Sequence, residues 1–289
     1  MIRILVPIDF SDRSKKALEV ASAFAALFGG KVTPFYSHLP ISELDEPYAL
    51  GMSTKMYQKF DEIEETLIGR VKETSEKIVD KHYLADPLVS IGNAAQGIID
   101  TAEEYDYVIM SSHGRTGFSR FLLGSVAEKV LRLCSKPVMI VENDSDVGEF
   151  KKILVTTDFS ENSIQAFPYA VDIAKRTQAE VELLHILSFD QFEESEKDLS
   201  LRTIREERLK ILKKEYFNEI SDKVTHKLIV SQDSPHEAIH NYIKENPVNL
   251  LVMATVGRTG IKYLMMGSTT ANVVRHVHSA VLSIKPISK

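Results

Sequence analysis

A single cysteine, Cys134, occurs in 289 residues. One thiol cannot build a disulfide framework or a paired CxxC site, and its scarcity fits a reducing compartment. Long apolar runs are also missing. The longest, Val20 to Phe28, is too short to cross a bilayer, and Ile4 to Ile8, closed by Asp9, is too short for the core of a signal peptide. The expectation is a cytoplasmic protein with no membrane contact. Excess positive charge is absent too: 41 Asp and Glu outweigh 35 Lys and Arg, giving a net charge of −6. That balance argues against nonspecific nucleic-acid binding. The chain contains neither a G-x-S-x-G elbow nor a G-x-x-x-x-G-K-[ST] loop.

What is present describes a globular protein, with 44% hydrophobic and 26% charged residues over a length sufficient for two domains. Arg3 to Ile8 reads as a short buried strand ended by Asp9-Phe10-Ser11, with Ser11 placed to cap a helix. Ala17, Leu18, Ala21, Phe24, Ala25 and Phe28 recur at helical spacing until Gly29-Gly30 stops them. Lys31 to His38 is a second strand, and residues 40–54 read as loop. A long helix follows from Lys55 to His82, with Phe60, Ile63, Leu67, Val71 and Ile78 on one face. Then come a strand at Pro87 to Ile91, a helix at Ala94 to Glu104, a strand at Tyr107 to Met110, a helix at Val126 to Cys134 and a strand at Pro137 to Val141.

Asn143 to Glu149 is a polar, acidic linker, after which the pattern restarts. Ile153 to Ser160 repeats Ile4 to Ser11, so Asp9 and Asp158 stand 149 positions apart, while Gly114 to Gly257 and Gly124 to Gly267 are both 143. A whole domain is duplicated, with boundaries expected at 1–143 and 150–289. Pro168 falls inside the second copy's first helix and should kink it. Strands alternating with helices imply parallel βαβ units and a crevice beyond the strands' carboxyl ends, where Asp9 and Gly114 can converge. Strand order is not readable from spacing. Each half ends in a short apolar strand whose open edge would be association-prone, so the halves should pack as an intramolecular pseudo-dimer.

The most chemically suggestive stretch occurs twice: Ser111 to Ser125, and Ala254 to Ser268. Each follows an apolar run and precedes a helical pattern, and neither contains Asp or Glu. Glycines let backbone approach an anion, and the free N–H groups of a first helical turn point at it. Ser125 and Ser268 read as N-caps of those helices. A separate motif, His236-Glu237-Ala238-Ile239-His240, matches H-E-x-x-H. With Pro235 before it and Ala238, Ile239, Tyr242 and Ile243 forming a buried face, it reads as an ordinary helix with both histidines on the solvent flank, not as a zinc site. His276 and His278 read as dipole contacts at a helix end.

These residues carry a resemblance. Ser111-x2-Gly114-x9-Gly124-Ser125 and Ala254-x2-Gly257-x9-Gly267-Ser268 are similar to the Gly-x2-Gly-x9-Gly-[Ser/Thr] pattern of the universal stress protein family, with Ser111 and Ala254 replacing its first glycine. The chain resembles a tandem member with two UspA-type domains, UspE-like in its second loop and in Ile284-Lys285-Pro286. The resemblance implies two Rossmann-like domains of the adenine nucleotide alpha hydrolase type, each a five-stranded parallel sheet flanked by helices. It also implies a stress-response role and binding of ATP, ADP or AMP, with Mg2+ as a companion ion.

In the first copy the implied contacts are Pro7, Ile8 and Asp9 at the first strand's end and Ser37 on the second. Met110, Ser111, His113, Gly114 and Arg115 follow the fourth strand, and Gly124, Ser125 and Val126 open the next helix. In the second copy they are Thr157, Asp158, Ile186, Met253, Ala254, Gly257, Arg258, Gly267, Ser268 and Thr269. Ser37 departs from the apolar residue expected against adenine, which Ile186 supplies. No loop carboxylate serves as a base, so the expectation is a binder and not an enzyme, with slow ATP hydrolysis compatible. The alternative is a scaffold that no longer binds nucleotide and acts through regulatory protein partners. A homodimer of the whole chain is compatible with either.

Overall fold

The computed structural model describes residues 1–38, 54–114, 123–142, 145, 150–189, 196–257 and 266–286, the side chains of 54–61 and 196–199 excepted. The first half runs β1 (Arg3–Pro7), α1 (Asp12–Phe28), β2 (Lys31–His38), α2 (Thr54–Glu76), β3 (Leu88–Ile91), α3 (Ala94–Ala102), β4 (Tyr107–Ser111), α4 (Ser125–Leu133) and β5 (Val138–Val141). The second repeats it as β6 (Lys152–Thr156), α5 (Glu161–Ile164), α6 (Phe167–Thr177), β7 (Glu180–Ser188), α7 (Glu196–Tyr216), β8 (Val224–Ser231), α8 (Pro235–Glu245), β9 (Leu250–Ala254), α9 (Ser268–His276) and β10 (Ala280–Ile284).

All ten strands form one sheet in the order β3-β2-β1-β4-β5-β10-β9-β6-β7-β8. Each half is a parallel 3-2-1-4-5 unit, and the two meet at β5 and β10, the sheet's antiparallel pair, with Val281 opposite Ile140 and Leu282 opposite Met139. The expected pseudo-dimer is thus built by sharing a sheet. Both faces are covered, which is why the strands read as continuous apolar runs. Along β1, Ile4 and Val6 enter one core cluster and Leu5 the other; along β6, Ile153 and Val155 enter the first and Leu154 the second. Each cluster draws on both halves, so the core does not stop at the seam.

Aromatic side chains reinforce that seam on the α1–α6 face. Phe24 of α1 lies 4.4 Å from Phe28 and 6.3 Å from Phe150, and Tyr107 stands edge-on to Tyr169 of α6 at 6.3 Å, all between ring centroids. The Arg176 guanidinium sits 4.4 Å over the Phe28 ring. Phe150, the first described residue after the linker, is 2% exposed, and burying such a ring stabilises by about 1.5–3 kcal/mol.

Local signals held with instructive differences. Ser11 accepts from the Ser14 N–H as N-cap of α1, and Gly29 ends it in a left-handed conformation at φ 65°. The second copy puts Gln178 in that left-handed place at φ 61°, anchored by a bond from its side-chain amide to the Lys175 carbonyl at 2.8 Å. Pro168 does interrupt the helix. The turn at 165–166 splits it, and α6 restarts with proline in its first turn, where a missing N–H costs nothing. The long helix ends at Glu76, not at His82, and Ile78 joins the core from the following turn. Ser125 and Ser268 are not N-caps: Gly124 and Gly267 occupy those positions, and both serines are exposed first-turn residues. The loop read over 40–54, apart from Thr54, and the linker, apart from buried Ser145, lie outside the described residues, as does the Phe60 side chain.

Residues 1–145 expressed alone would expose β5, whose four residues are all buried in the intact chain. This fragment is expected to dimerise in a sedimentation experiment, and a strictly monomeric fragment at high concentration would contradict the role given to that edge.

Candidate functional site

In each half the sheet order reverses between its first and fourth strands, and the crevice opens beyond their carboxyl ends. β1 pairs with β4 and β6 with β9, which brings Asp9 to Gly114 and Asp158 to Gly257. The approach is close. A Cβ on Gly114 would lie 2.6 Å from Asp9 Oδ2, and one on Gly257 would lie 2.5 Å from Asp158 Oδ2. Any larger residue at either glycine would have to displace the carboxylate.

The other carboxylate oxygen is fixed locally. Asp9 Oδ1 accepts from the Ser11 N–H at 3.0 Å and the Ser11 hydroxyl at 2.6 Å, and Asp158 Oδ1 accepts from the N–H and hydroxyl of Ser160. Between them Phe10 and Phe159 take a left-handed conformation, both at φ 66°. Neither the phenylalanines nor the serine donors stood out as site residues in the sequence, although Asp-Phe-Ser occurs at both places. An Asp side chain bonded to the N–H two residues on was the available signal.

The glycines that open α4 and α9 are tied back to the strands. The Gly124 N–H donates to the Ser112 carbonyl at 2.9 Å and the Gly267 N–H to the Thr255 carbonyl at 2.7 Å. The first N–H groups of any helix lack intrahelical partners, and here no side chain caps them at either helix. Arg115 and Arg258 lie outside the described residues.

The halves differ in chemistry. Ser111 donates to the His113 carbonyl at 2.9 Å, and Ser112 Oγ meets His113 Nδ1 at 2.8 Å. His113 is 7% exposed, and its Nε2 is buried with no hydrogen-bond partner among the described residues. Burial, with the Arg13 cation nearby, pushes its pKa below the ordinary histidine value. In the second half Val256 stands there instead, 2% exposed. Thr157 bonds the Ser163 hydroxyl at 2.9 Å, and its carbonyl meets His185 Nδ1 at 2.7 Å. Ala254 contributes its carbonyl to the Thr270 hydroxyl at 2.9 Å.

Other candidates fall around these crevices. Pro7 is half-buried, and Ile8 is buried with its N–H on the Phe35 carbonyl at 2.8 Å. Ser37 spends its hydroxyl on the Gly92 carbonyl at 3.0 Å, whereas Ile186 is a half-buried apolar surface on β7. Met110 and Met253 are core residues at their strands' ends, and Val126 and Thr269 are half-buried in the first turns of α4 and α9. The H-E-x-x-H segment is a capped helix start. Ser234 is the N-cap of α8, and its N–H donates to Glu237 Oε2 at 3.1 Å, which occupies the glutamate. His240 is less exposed than expected, half-buried with its ring 6.3 Å from that of His276.

A doubled, doubly wound α/β sheet with one such crevice per half defines a tandem Rossmann-like protein. The chain belongs to the universal stress protein family, whose model matches residues 1–142 and again 149–285. A universal stress protein of Methanocaldococcus jannaschii is 30% identical over 152 residues, spanning 48% of this chain and 94% of its own. A universal stress protein E homolog of Haemophilus influenzae is 23% identical, over 75% of this chain and 80% of its own. The crystal structure of a universal stress protein from Archaeoglobus fulgidus superposes with a TM-score of 0.64 at 24% identity, covering 99% of this chain and 96% of that one, and so shares the fold of both halves.

His113, His226 and His240 all have pKa values lowered first by burial, below the ordinary 6.5. The unfolded chain therefore binds more protons as pH falls through 6.5, and stability present above that value is lost below it. Thermal melts should show a lower Tm at pH 5.5 than at pH 7.5, and His113→Gln should reduce that difference.

Proposed function

We propose that this universal stress protein is a cytoplasmic regulator that binds ATP or a related adenine nucleotide in its two crevices, with no robust catalysis. The observation that carries this reading is the first crevice, where a carboxylate-bearing strand end meets Gly114, an uncapped helix starts at Gly124, and the intervening loop carries His113, whose Nε2 is buried with no partner among the described residues. In this reading Asp9 and Asp158 hold the adenosine part, the first-turn N–H groups of α4 and α9 take phosphate, and His113 Nε2 adds a donor. Any Mg2+ would arrive on the phosphates, since no group of three or more His, Cys, Asp or Glu among the described residues is arranged to hold a metal ion. Asp9 and Asp158, already accepting from serine donors, serve as fixed acceptors and not as bases. No described helix is long and apolar enough to cross a membrane. The domain boundaries we assign are 1–143 and 150–289.

The first crevice should be the tighter. It has Pro7 before Asp9 and the His113 donor, where the second has Thr156 and Val256. A hydrogen bond to a charged group contributes about 1.5–3 kcal/mol, roughly tenfold to a hundredfold in affinity. Ile186 covers an adenine face better than Ser37, but by only about 1 kcal/mol. Gly124→Asp and Gly267→Asp each place a carboxylate where phosphate should sit, at N-cap positions that favour Asp. The added Cβ would press on the Ser112 carbonyl at 3.0 Å and the Thr255 carbonyl at 3.2 Å, so a thermal melt accompanies each titration to separate lost binding from lost fold. Calorimetry with ATP should show the tighter site lost only with Gly124→Asp. If neither substitution changes binding, these loops are not the site and the scaffold reading gains; mass spectrometry of molecules released from purified protein then shows whether adenine nucleotide is carried at all.

Phosphate at His113 would favour the imidazolium, so binding at the first crevice should take up a proton. Affinity is expected to rise as pH falls toward and below 6.5, the ordinary value from which burial lowers this group. Titrations in buffers of different ionisation heat read the proton directly, and His113→Gln should remove the uptake while leaving the second site unchanged.

A further inference from the structure

We propose that Arg70 of α2, and Arg205 with Arg208 of α7, are positioning residues that clamp the left-handed phenylalanines and so hold the two crevice aspartates in their binding orientation. The proposal rests on the nucleotide reading above and assigns that site a control point on the long crossover helices. Phe10 and Phe159 both sit at φ 66°, a region that bulky residues avoid. Such residues persist only where their surroundings enforce them, and they cluster at ligand sites. Here the surroundings are explicit. The Arg70 guanidinium lies 4.3 Å over the Phe10 ring, and the Tyr36 ring is 5.0 Å from it. Arg208 and Arg205 lie 4.9 Å and 5.4 Å over Phe159, which packs on His185 at 4.1 Å. Arg208 Nη2 also donates to the Phe159 carbonyl at 3.1 Å.

The arrangement is duplicated, not incidental. Arg70 and Arg208 stand 138 positions apart, as do the buried pairs Val71 and Leu209, and Val79 and Phe217. What the clamp holds is the turn itself. With φ positive at Phe10, the Ser11 N–H faces Asp9 Oδ1 while Oδ2 lies against Gly114. A return of Phe10 to an ordinary φ would swing that N–H away and release the carboxylate. The second half is held redundantly, since Leu67 occupies the position that matches Arg205.

Amide NMR on the full chain reads the crevices separately, through the Ser11 and Ser160 N–H groups. Arg70→Leu should accelerate exchange at Ser11 but not at Ser160, and weaken ATP at the first crevice by about fivefold to thirtyfold. Arg70→Lys, which keeps the cation, should recover part of that loss. Arg208→Leu alone should do less at Ser160 than Arg205→Leu combined with Arg208→Leu. Glycine adopts a positive φ without penalty, so in a Phe10→Gly background Arg70→Leu should have no further effect. The proposal is overturned if Arg70→Leu leaves Ser11 exchange unchanged, if it lowers Tm with equal effects at Ser11 and Ser160, or if its full loss persists beside Phe10→Gly. Should the wild-type chain bind no ATP, the functional reading fails by itself, and exchange at Ser11 still decides whether the arginine clamps the turn.

Discussion

Two short apolar strands, β5 and β10, paired antiparallel in the middle of the sheet, are the contact on which the rest of the molecule depends. Each alone would be an open edge with unpaired backbone groups, a liability that sheets must cover. Pairing them satisfies both edges within one chain and makes the two cores continuous. The seam also sets the geometry of function, because α4 and α9, which open at the two crevices, are the helices that run into β5 and β10. Glu128 of α4 and Arg275 of α9 meet across it at 3.3 Å. A half-exposed ion pair of this kind contributes little stability, so apolar burial and the shared ladder carry the joint.

The crevices follow from a second constraint, the reversal of strand order between β1 and β4 and between β6 and β9. Only there do two strand ends present side chains to a gap that no crossover helix fills. Into each gap the chain places an aspartate resting on a glycine and an uncapped helix start. A glycine at 114 or 257 is thus a requirement of close approach and not of turn conformation, since neither has a positive φ. Strain is stored one residue away, in Phe10 and Phe159. Their place directly after the crevice aspartates, in both halves, ties the backbone of the site to the long helices packed outside it.

Duplication made some of this legible. Apolar strands, Ser11 as a cap, Gly29 as a stop and the two glycine loops all follow from local rules that act over a few residues. Where a rule depended on what lay across space, it slipped. Ser125 and Ser268 have the right chemistry for N-caps, yet the backbone turns into the helix one residue earlier, where the Gly124 and Gly267 N–H groups bond Ser112 and Thr255 just past β4 and β9. Gln178 fills a left-handed cap without glycine, since its side chain finds the Lys175 carbonyl. The H-E-x-x-H pattern loses its glutamate to a capping box that local spacing could have shown.

By itself the sequence determined the class of the fold, the doubling and the glycine loops that carry the family resemblance, because periodicity, punctuation and repetition are encoded within short windows. The tertiary structure alone decided the strand order, the antiparallel join of the halves, the partnerless nitrogen of His113 and the arginines stacked on left-handed phenylalanines. Each of these depends on residues scores of positions apart, brought together by burial, and no local pattern specifies which of many compatible partners a chain will meet.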